Sequence, residues 1–184
     1  MTTKTTKQTV GGIEAPDYSY FTEEIPLWSE VMPGLWQGGT DDDDTLGSYV
    51  AFSNLTPRIT PEEFDAVVTM YQYANPADWL VTEYRYCIYD SDIEHFDQQE
   101  LFETVKFAHT QWVKGKRVLI RCQAGLNRSG LVTALVLMRS GYTAIEAITI
   151  IRETRSEYAL FNNEFVEFLL NTDPTLWQGS EFGA

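Results

Sequence analysis

One stretch constrains the fold of this chain more than any other: Val118-Leu119-Ile120-Arg121-Cys122-Gln123-Ala124-Gly125-Leu126-Asn127-Arg128-Ser129-Gly130. It starts as a run of apolar β-formers, breaks at a cysteine and turns through a short loop. It then enters a helical pattern carrying Leu131, Val132, Leu135, Val136 and Met138. A strand that passes through a tight loop straight into a helix is the building unit of α/β domains. Cys122 and Arg128 stand six positions apart at the two ends of that loop. A thiol at a strand end, backed by successive backbone amides, a helix N-terminus and a guanidinium, is an arrangement for holding and attacking an oxyanion.

The rest of the chain repeats the alternation of strand and helix. Val31 to Gly39 reads as a turn and a short edge strand, and Tyr49, Val50, Phe52 and Leu55 as a strand or packed loop. Phe64 to Tyr71 and Glu83 to Asp90 read as strands rich in β-formers, the first preceded by the short helical start Thr60-Pro61-Glu62-Glu63. Asp97-Gln98-Gln99-Glu100 has capping-box spacing ahead of Leu101, Val105, Ala108 and Trp112, which fall on one helical face. Gly141 closes the helix after the loop; further helices start at Thr143 and at Asn162-Asn163, whose side chains suit helix capping. The pattern predicts an α/β single domain, its central mixed, partly parallel sheet flanked by helices. Residues 1–17 are expected to form a flexible N-terminal segment, 18–172 the domain with an aromatic lead-in at Tyr18, Tyr20 and Phe21, and 173–184 a C-terminal tail.

Composition narrows the partners. The 184 residues carry a net charge of −14, which argues against a basic nucleic-acid surface and against docking on anionic lipid. Any attraction for a phosphate must therefore be local. No apolar run approaches a membrane span, the Thr- and Lys-rich start is no signal peptide, and two cysteines make no disulfide scaffold. The chain is expected to be a soluble, cytoplasmic monomer with reduced thiols. Four adjacent carboxylates, Asp41 to Asp44, lack the alternate spacing of a calcium loop, so no metal and no cofactor are expected.

Within the loop, each residue type has a chemical use. Helix N-termini and nearby cations promote the thiolate, the nucleophilic form of Cys122. Gln123, Ala124, Gly125, Leu126 and Asn127 give just enough backbone to wrap a tetrahedral anion, and Gly125 accepts conformations other residues resist. Arg128 can grip two phosphate oxygens with a planar fork. The Ser129 hydroxyl lies where it can help the sulfur leave in a second step. Cys87 reads as a buried strand residue, the tyrosines of Tyr71-Gln72-Tyr73 as packing or as a pocket rim, His109 as without a role, and His95 as a surface residue with a place flanking the pocket as the alternative.

The spacing Cys122-x5-Arg128-Ser129 resembles the signature loop of the cysteine-dependent protein tyrosine phosphatases, in particular the compact dual-specificity branch. Pro33-Gly34-Leu35-Trp36 is similar to that branch's opening strand, and the order of helices agrees over most of residues 30–172. Cys122 to Gly130 and Arg155 to Leu160 also resemble a bacterial and phage-borne subgroup. The resemblance implies a dual-specificity-phosphatase-like fold and a general acid, an Asp some thirty residues before the cysteine. Asp90 and Asp92 lie 32 and 30 positions upstream; Asp90, at a strand end, is preferred and Asp92 is the alternative. One departure is Arg121, where the family usually has His. It either stabilises the thiolate or occupies the other face of the strand.

Taken together, Cys122, Arg128, Asp90 and Ser129 imply hydrolysis of phosphotyrosine, and of phosphoserine or phosphothreonine in a shallow pocket, through a cysteinyl-phosphate. The partner is then a phosphorylated protein or peptide. The alternatives are a catalytically weak phosphopeptide-binding relative and a rhodanese-like sulfurtransferase, which uses a similar thiolate cradle.

Overall fold

The computed structural model describes residues 9–14, 25–41, 44–45 and 58–179. The aromatic lead-in at Tyr18, Tyr20 and Phe21, the segment Tyr49 to Leu55 and the last five residues lie outside that set. A small antiparallel hairpin, β1 (Thr9–Val10) and β2 (Ile13–Glu14), forms within the stretch expected to be a flexible lead.

The central sheet contains β3 (Trp28–Met32), β4 (Leu35–Gly38), β5 (Ala66–Thr69), β6 (Thr82–Arg85) and β7 (Val118–Arg121), in the order β3-β4-β7-β5-β6. β3 and β4 are antiparallel; every other pair is parallel. The sheet is mixed, as the alternation predicts. The segment 31–39 differs from the expectation: Pro33-Gly34 turns one strand back on another, and β4 lies inside the sheet because β3 takes the edge. β7 is central and all four of its residues are buried, as a parallel interior strand requires. Gly38, Thr69 and Arg121 stand in one register row, so β4, β5 and β7 end together. Open parallel sheets place their ligand sites at that edge.

The described residues hold five helices, α1 (Gln98–Val113) between β6 and β7, then α2 (Arg128–Arg139), α3 (Ala144–Thr154), α4 (Asn163–Asn171) and α5 (Pro174–Gln178). α2 is buried over nearly its whole length and packs against the other helices and the sheet. Val118 and Ile120 point into that helical core with Ala66 and Val68. Leu119 and Val67 alternate to the opposite face and meet Ile59, Phe64 and Val81. Asp97 caps α1 through the Glu100 amide, but the reciprocal arm of the expected capping box is taken by the Tyr86 hydroxyl, which accepts the Asp97 N–H at 2.9 Å. α5 falls in the stretch expected to be a tail; Trp177 anchors it, 1% exposed among α1 and α4 aromatics. No helix among the described residues is long and apolar enough to cross a membrane.

The alternation also decides where Arg121 goes. It follows Leu119 on the face away from the helices, and its 1% exposed guanidinium is bound by Thr69 Oγ1 at 3.0 Å, Asp44 Oδ2 at 2.7 Å and the Asn75 carbonyl. Glu83 Oε1 lies 3.5 Å away. Arg121 does not reach the thiol of Cys122. Burial pushes the Asp44 carboxyl up and the Arg121 guanidinium down, each against the pull of its partner, so the pair joins β5, β7 and the 41–45 loop without gaining much from its charges. Truncation is another matter, because it strands the buried Asp44 carboxylate. Arg121→Ala is expected to cost about 3–5 kcal/mol in urea unfolding; a loss below about 1 kcal/mol would mean that the buried network is not formed.

Candidate active site

The site begins where β7 ends. The Cys122 N–H still pairs with Gly38 O at 3.1 Å, as if the strand continued, and the next residue leaves the sheet. From there the loop is held from outside by its carbonyls. Cys122 O accepts Thr40 Oγ1 at 3.1 Å and Gln123 O accepts the Thr40 N–H at 2.9 Å. Gly125 O accepts both Gln37 Nε2 at 3.0 Å and Arg155 Nε at 3.1 Å, and Leu126 O accepts the Leu160 N–H at 3.2 Å. A planar trans peptide points its N–H opposite its C=O. Carbonyls of residues 122, 123, 125 and 126 turned outward therefore turn the amides of Gln123, Ala124, Leu126 and Asn127 inward. The result is a concave row of donors, built for an anion.

Close packing makes this possible. Gly125 has φ +73°, and a Cβ there would stand 2.3 Å from the carbonyl carbon of Gly38; a Cβ on Gly39 would stand 2.9 Å from Gln123 O. The loop and the end of β4 touch backbone to backbone, which side chains would prevent.

The thiol lies at the floor, 1% exposed. The Gly125 N–H points at Sγ from 3.3 Å, and Ser129 Oγ also lies 3.3 Å from it. α2 starts at Arg128 with no side-chain cap, because Asn127, in the cap position, directs its amide elsewhere. The helix's first amides and its positive end face the loop. Arg128 is 9% exposed, tethered by Nη1 to Ile88 O at 3.3 Å and stacked 5.5 Å over the Tyr71 ring. Its Nε has no acceptor among the described residues. One tether and one aromatic face orient the fork and leave donors for a ligand.

Beside the loop, at Gln123 and Arg128, opens a cavity of about 330 Å³, walled also by Tyr71, Cys87, Tyr89 and Asp90. Asp90 sits on its rim, Oδ2 accepting Asn127 Nδ2 at 3.1 Å and Oδ1 accepting Asn162 Nδ2 at 3.2 Å. Asp92 does not join it; its carboxylate lies 3.6 Å from His95 Nδ1, on the surface. Cys87 is not the buried strand residue its neighbours suggest. β6 stops at Arg85, and Cys87 is exposed on the cavity wall, where local crowding pushes its thiol up despite Arg85 and Arg128. Tyr73 packs edge-on against Tyr71 at 5.6 Å, so the tyrosines do both jobs, packing and rim. His109 lies mid-α1 against Trp112, its pKa held down by burial.

The structure thus brings Cys122, the loop Gln123 to Asn127, Arg128, Ser129 and Asp90 into one place. Sequence reasoning missed Gln37, Thr40 and Arg155, which hold the loop from behind. It saw Asn162 only as a helix cap. Among the described residues no three metal-ligating side chains gather to hold an ion.

The family model of the dual specificity phosphatase catalytic domain matches residues 51–173. The chain belongs to the dual specificity phosphatase catalytic-domain family. No curated protein sequence matches it. Its fold is shared with a mouse putative dual specificity phosphatase complexed with zinc tungstate, at 19% identity over 83% of this chain and 92% of the other, with a TM-score of 0.58. Tk-PTP in its active form is similar at 22% identity, 80% and 99% coverage and a TM-score of 0.58. So is a human tyrosine phosphatase-like serine/threonine/tyrosine-interacting protein, at 16% identity, 78% and 92% coverage and a TM-score of 0.58.

The loop geometry makes one demand that substitution can test. Gly125→Ala cannot keep both the left-handed turn and the contact with Gly38. It is expected to weaken tungstate binding, read by calorimetry, by about 100-fold or more, as loss of a preorganised oxyanion donor does elsewhere. Unchanged tungstate affinity would show that the loop amides do not form the cradle.

Proposed function

We propose that this protein is a cysteine-dependent phosphatase acting on phosphotyrosine in proteins, and on phosphoserine or phosphothreonine where these reach the floor. The observation that carries the reading is the position of the Cys122 sulfur, 3.3 Å from both an inward amide and the Ser129 hydroxyl, at the head of α2. The Cys122 thiolate attacks phosphorus in line. The loop amides and Arg128 take the charge that spreads over the equatorial oxygens. Asp90 gives its proton to the departing oxygen, leaving a cysteinyl-phosphate. Asp90, now a carboxylate, takes a proton from water as that water attacks, and Ser129 donates to the thiolate that leaves. No cofactor enters either step.

Support for an aryl substrate comes from the walls, which Tyr71 and Tyr89 line together with Arg128. Besides Arg128, the lining carries no cation, and with a net charge of −14 this disfavours phosphoinositides and RNA ends. We place the protein in the cytoplasm, as a monomer, on the strength of its two free thiols and acidic surface. The fold alone does not imply turnover. The complete set of nucleophile, clamp and proton donor favours turnover here.

Two arms test this. Phosphate release from an aryl phosphate is expected in the wild type and absent in Cys122→Ser; thiosulfate plus cyanide is expected to give no thiocyanate. Binding of a phosphopeptide without release would favour a non-catalytic relative. Asp90→Asn is expected to slow esters of poor leaving groups by about 10²–10⁴-fold and nitrophenyl-type esters far less. An Asp90→Asn enzyme with wild-type rates on phosphotyrosine would remove Asp90 from the mechanism.

A further inference from the structure

Asp90 is tied at both ends of its carboxylate, and by two different parts of the chain. Asn127 Nδ2, in the phosphate loop, donates to Oδ2 at 3.1 Å, and Asn162 Nδ2, at the head of α4, donates to Oδ1 at 3.2 Å. The same Asn162 amide nitrogen donates to Ser91 O at 2.9 Å, so it holds the backbone of the acid's loop as well as its side chain. The two asparagines are joined to each other, Asn162 N–H to Asn127 Oδ1 at 3.1 Å. Asn162 Oδ1 meanwhile accepts the Glu164 N–H at 3.0 Å and caps α4. Every polar atom of that side chain is in use, and only its oxygen serves the helix.

We propose that Asn162, acting with Asn127, is a positioning residue for Asp90 that locks the acid's loop to the phosphate loop through both halves of the reaction. The proposal rests on the phosphatase reading above and extends it. Asp90 is exposed and stands on a loop after β6, where nothing else among the described residues binds its carboxylate. Without the amides its side chain would be free to leave the cavity rim, and a proton donor misplaced by an ångström loses much of its effect.

The chemistry of the clamp suits a group that must change protonation state twice. An amide donates without carrying charge, whereas a lysine or arginine in its place would hold Asp90 as a fixed anion. Two donors on two separate oxygens add a second property. When Asp90 carries the proton, one oxygen becomes a donor toward the leaving group and releases its amide; the other oxygen keeps its own. After the proton has passed to the departing oxygen, both oxygens accept again, and one of them takes the proton of the attacking water. At least one tether persists in each state.

Because Asn162 also caps a helix, the test separates the two roles. Asn162→Ser retains an oxygen that can cap α4 but lacks the reaching amide. Its rates on a series of aryl phosphates with leaving groups of graded basicity are compared with wild type, Asp90→Asn and the double variant, with thermal unfolding measured alongside. The expected result is an unchanged melting midpoint and a loss of about tenfold or more on poor leaving groups. On good leaving groups little should change, and Asp90→Asn should lose nothing further when Asn162→Ser is added. Equal loss across all leaving groups, additive loss in the double variant, or wild-type rates would each overturn the proposal. Should Asn162→Ser melt early, Asn162→Asp, which keeps a strong cap and sets a carboxylate against Asp90, must give the same leaving-group pattern or the proposal fails. If Asp90→Asn shows the leaving-group signature and the Asn162 variants do not, only the clamp is lost. If Asp90→Asn lacks that signature, or the wild type releases no phosphate, the catalytic assignment falls and the clamp with it.

Discussion

The site depends on one thing above others: the outward pull on the carbonyls of the loop after β7. Gly125 O is the anchor, held by Gln37 Nε2 and Arg155 Nε together. Gln37 comes from β4 and Arg155 from the C-terminal cap of α3, so sheet and helical layer grip the same oxygen. Peptide planarity converts that grip into inward amides. The anion cradle is a consequence of the fold's two layers meeting at one carbonyl, and it exists before any anion arrives. Preorganisation of this kind is what lets backbone dipoles act strongly on a developing charge.

Electrostatics is organised at short range. The chain as a whole repels anions, with a net charge of −14. Against that, the cavity offers Arg128, the head of α2 and the inward amides, all within the low-dielectric floor where they count most. Arg121 adds nothing to the cradle although it adjoins Cys122. Its charge is consumed on the far face by Asp44 and Glu83. Strand alternation thus turns neighbouring residues to opposite faces, Cys122 toward the loop and Arg121 toward Asp44.

What could be read from the sequence was what is local or strongly patterned. Cys122 to Ser129 is contiguous, its strand–loop–helix signals are short-range, and the structure has that arrangement. The mixed sheet followed from the alternation of elements, while the choice of Asp90 over Asp92 rested on the family resemblance and on its place at the end of a β-rich run. The remainder is long-range. Gln37 lies 88 residues from the carbonyl it holds and Arg155 lies 30. Asn162 reaches Asp90 across 72 residues, and its local signal was that of a helix cap, which is also true. Cys87 was misjudged because β6 ends at Arg85, four residues before the apolar pattern ends at Tyr89. The orientation of Arg121 was open until the register row with Gly38 and Thr69 showed which way it faces.

The central claim is that the buried thiol at the loop floor is the atom that takes the phosphoryl group. Rapid mixing of the wild-type protein with an aryl phosphate, acid quench within the first turnover, and mass spectrometry of the digest measure it directly. The account predicts a phosphoryl adduct on the peptide that contains Cys122, and none on the one that contains Cys87. Phosphate release with no adduct at Cys122, or an adduct on another residue, would contradict it.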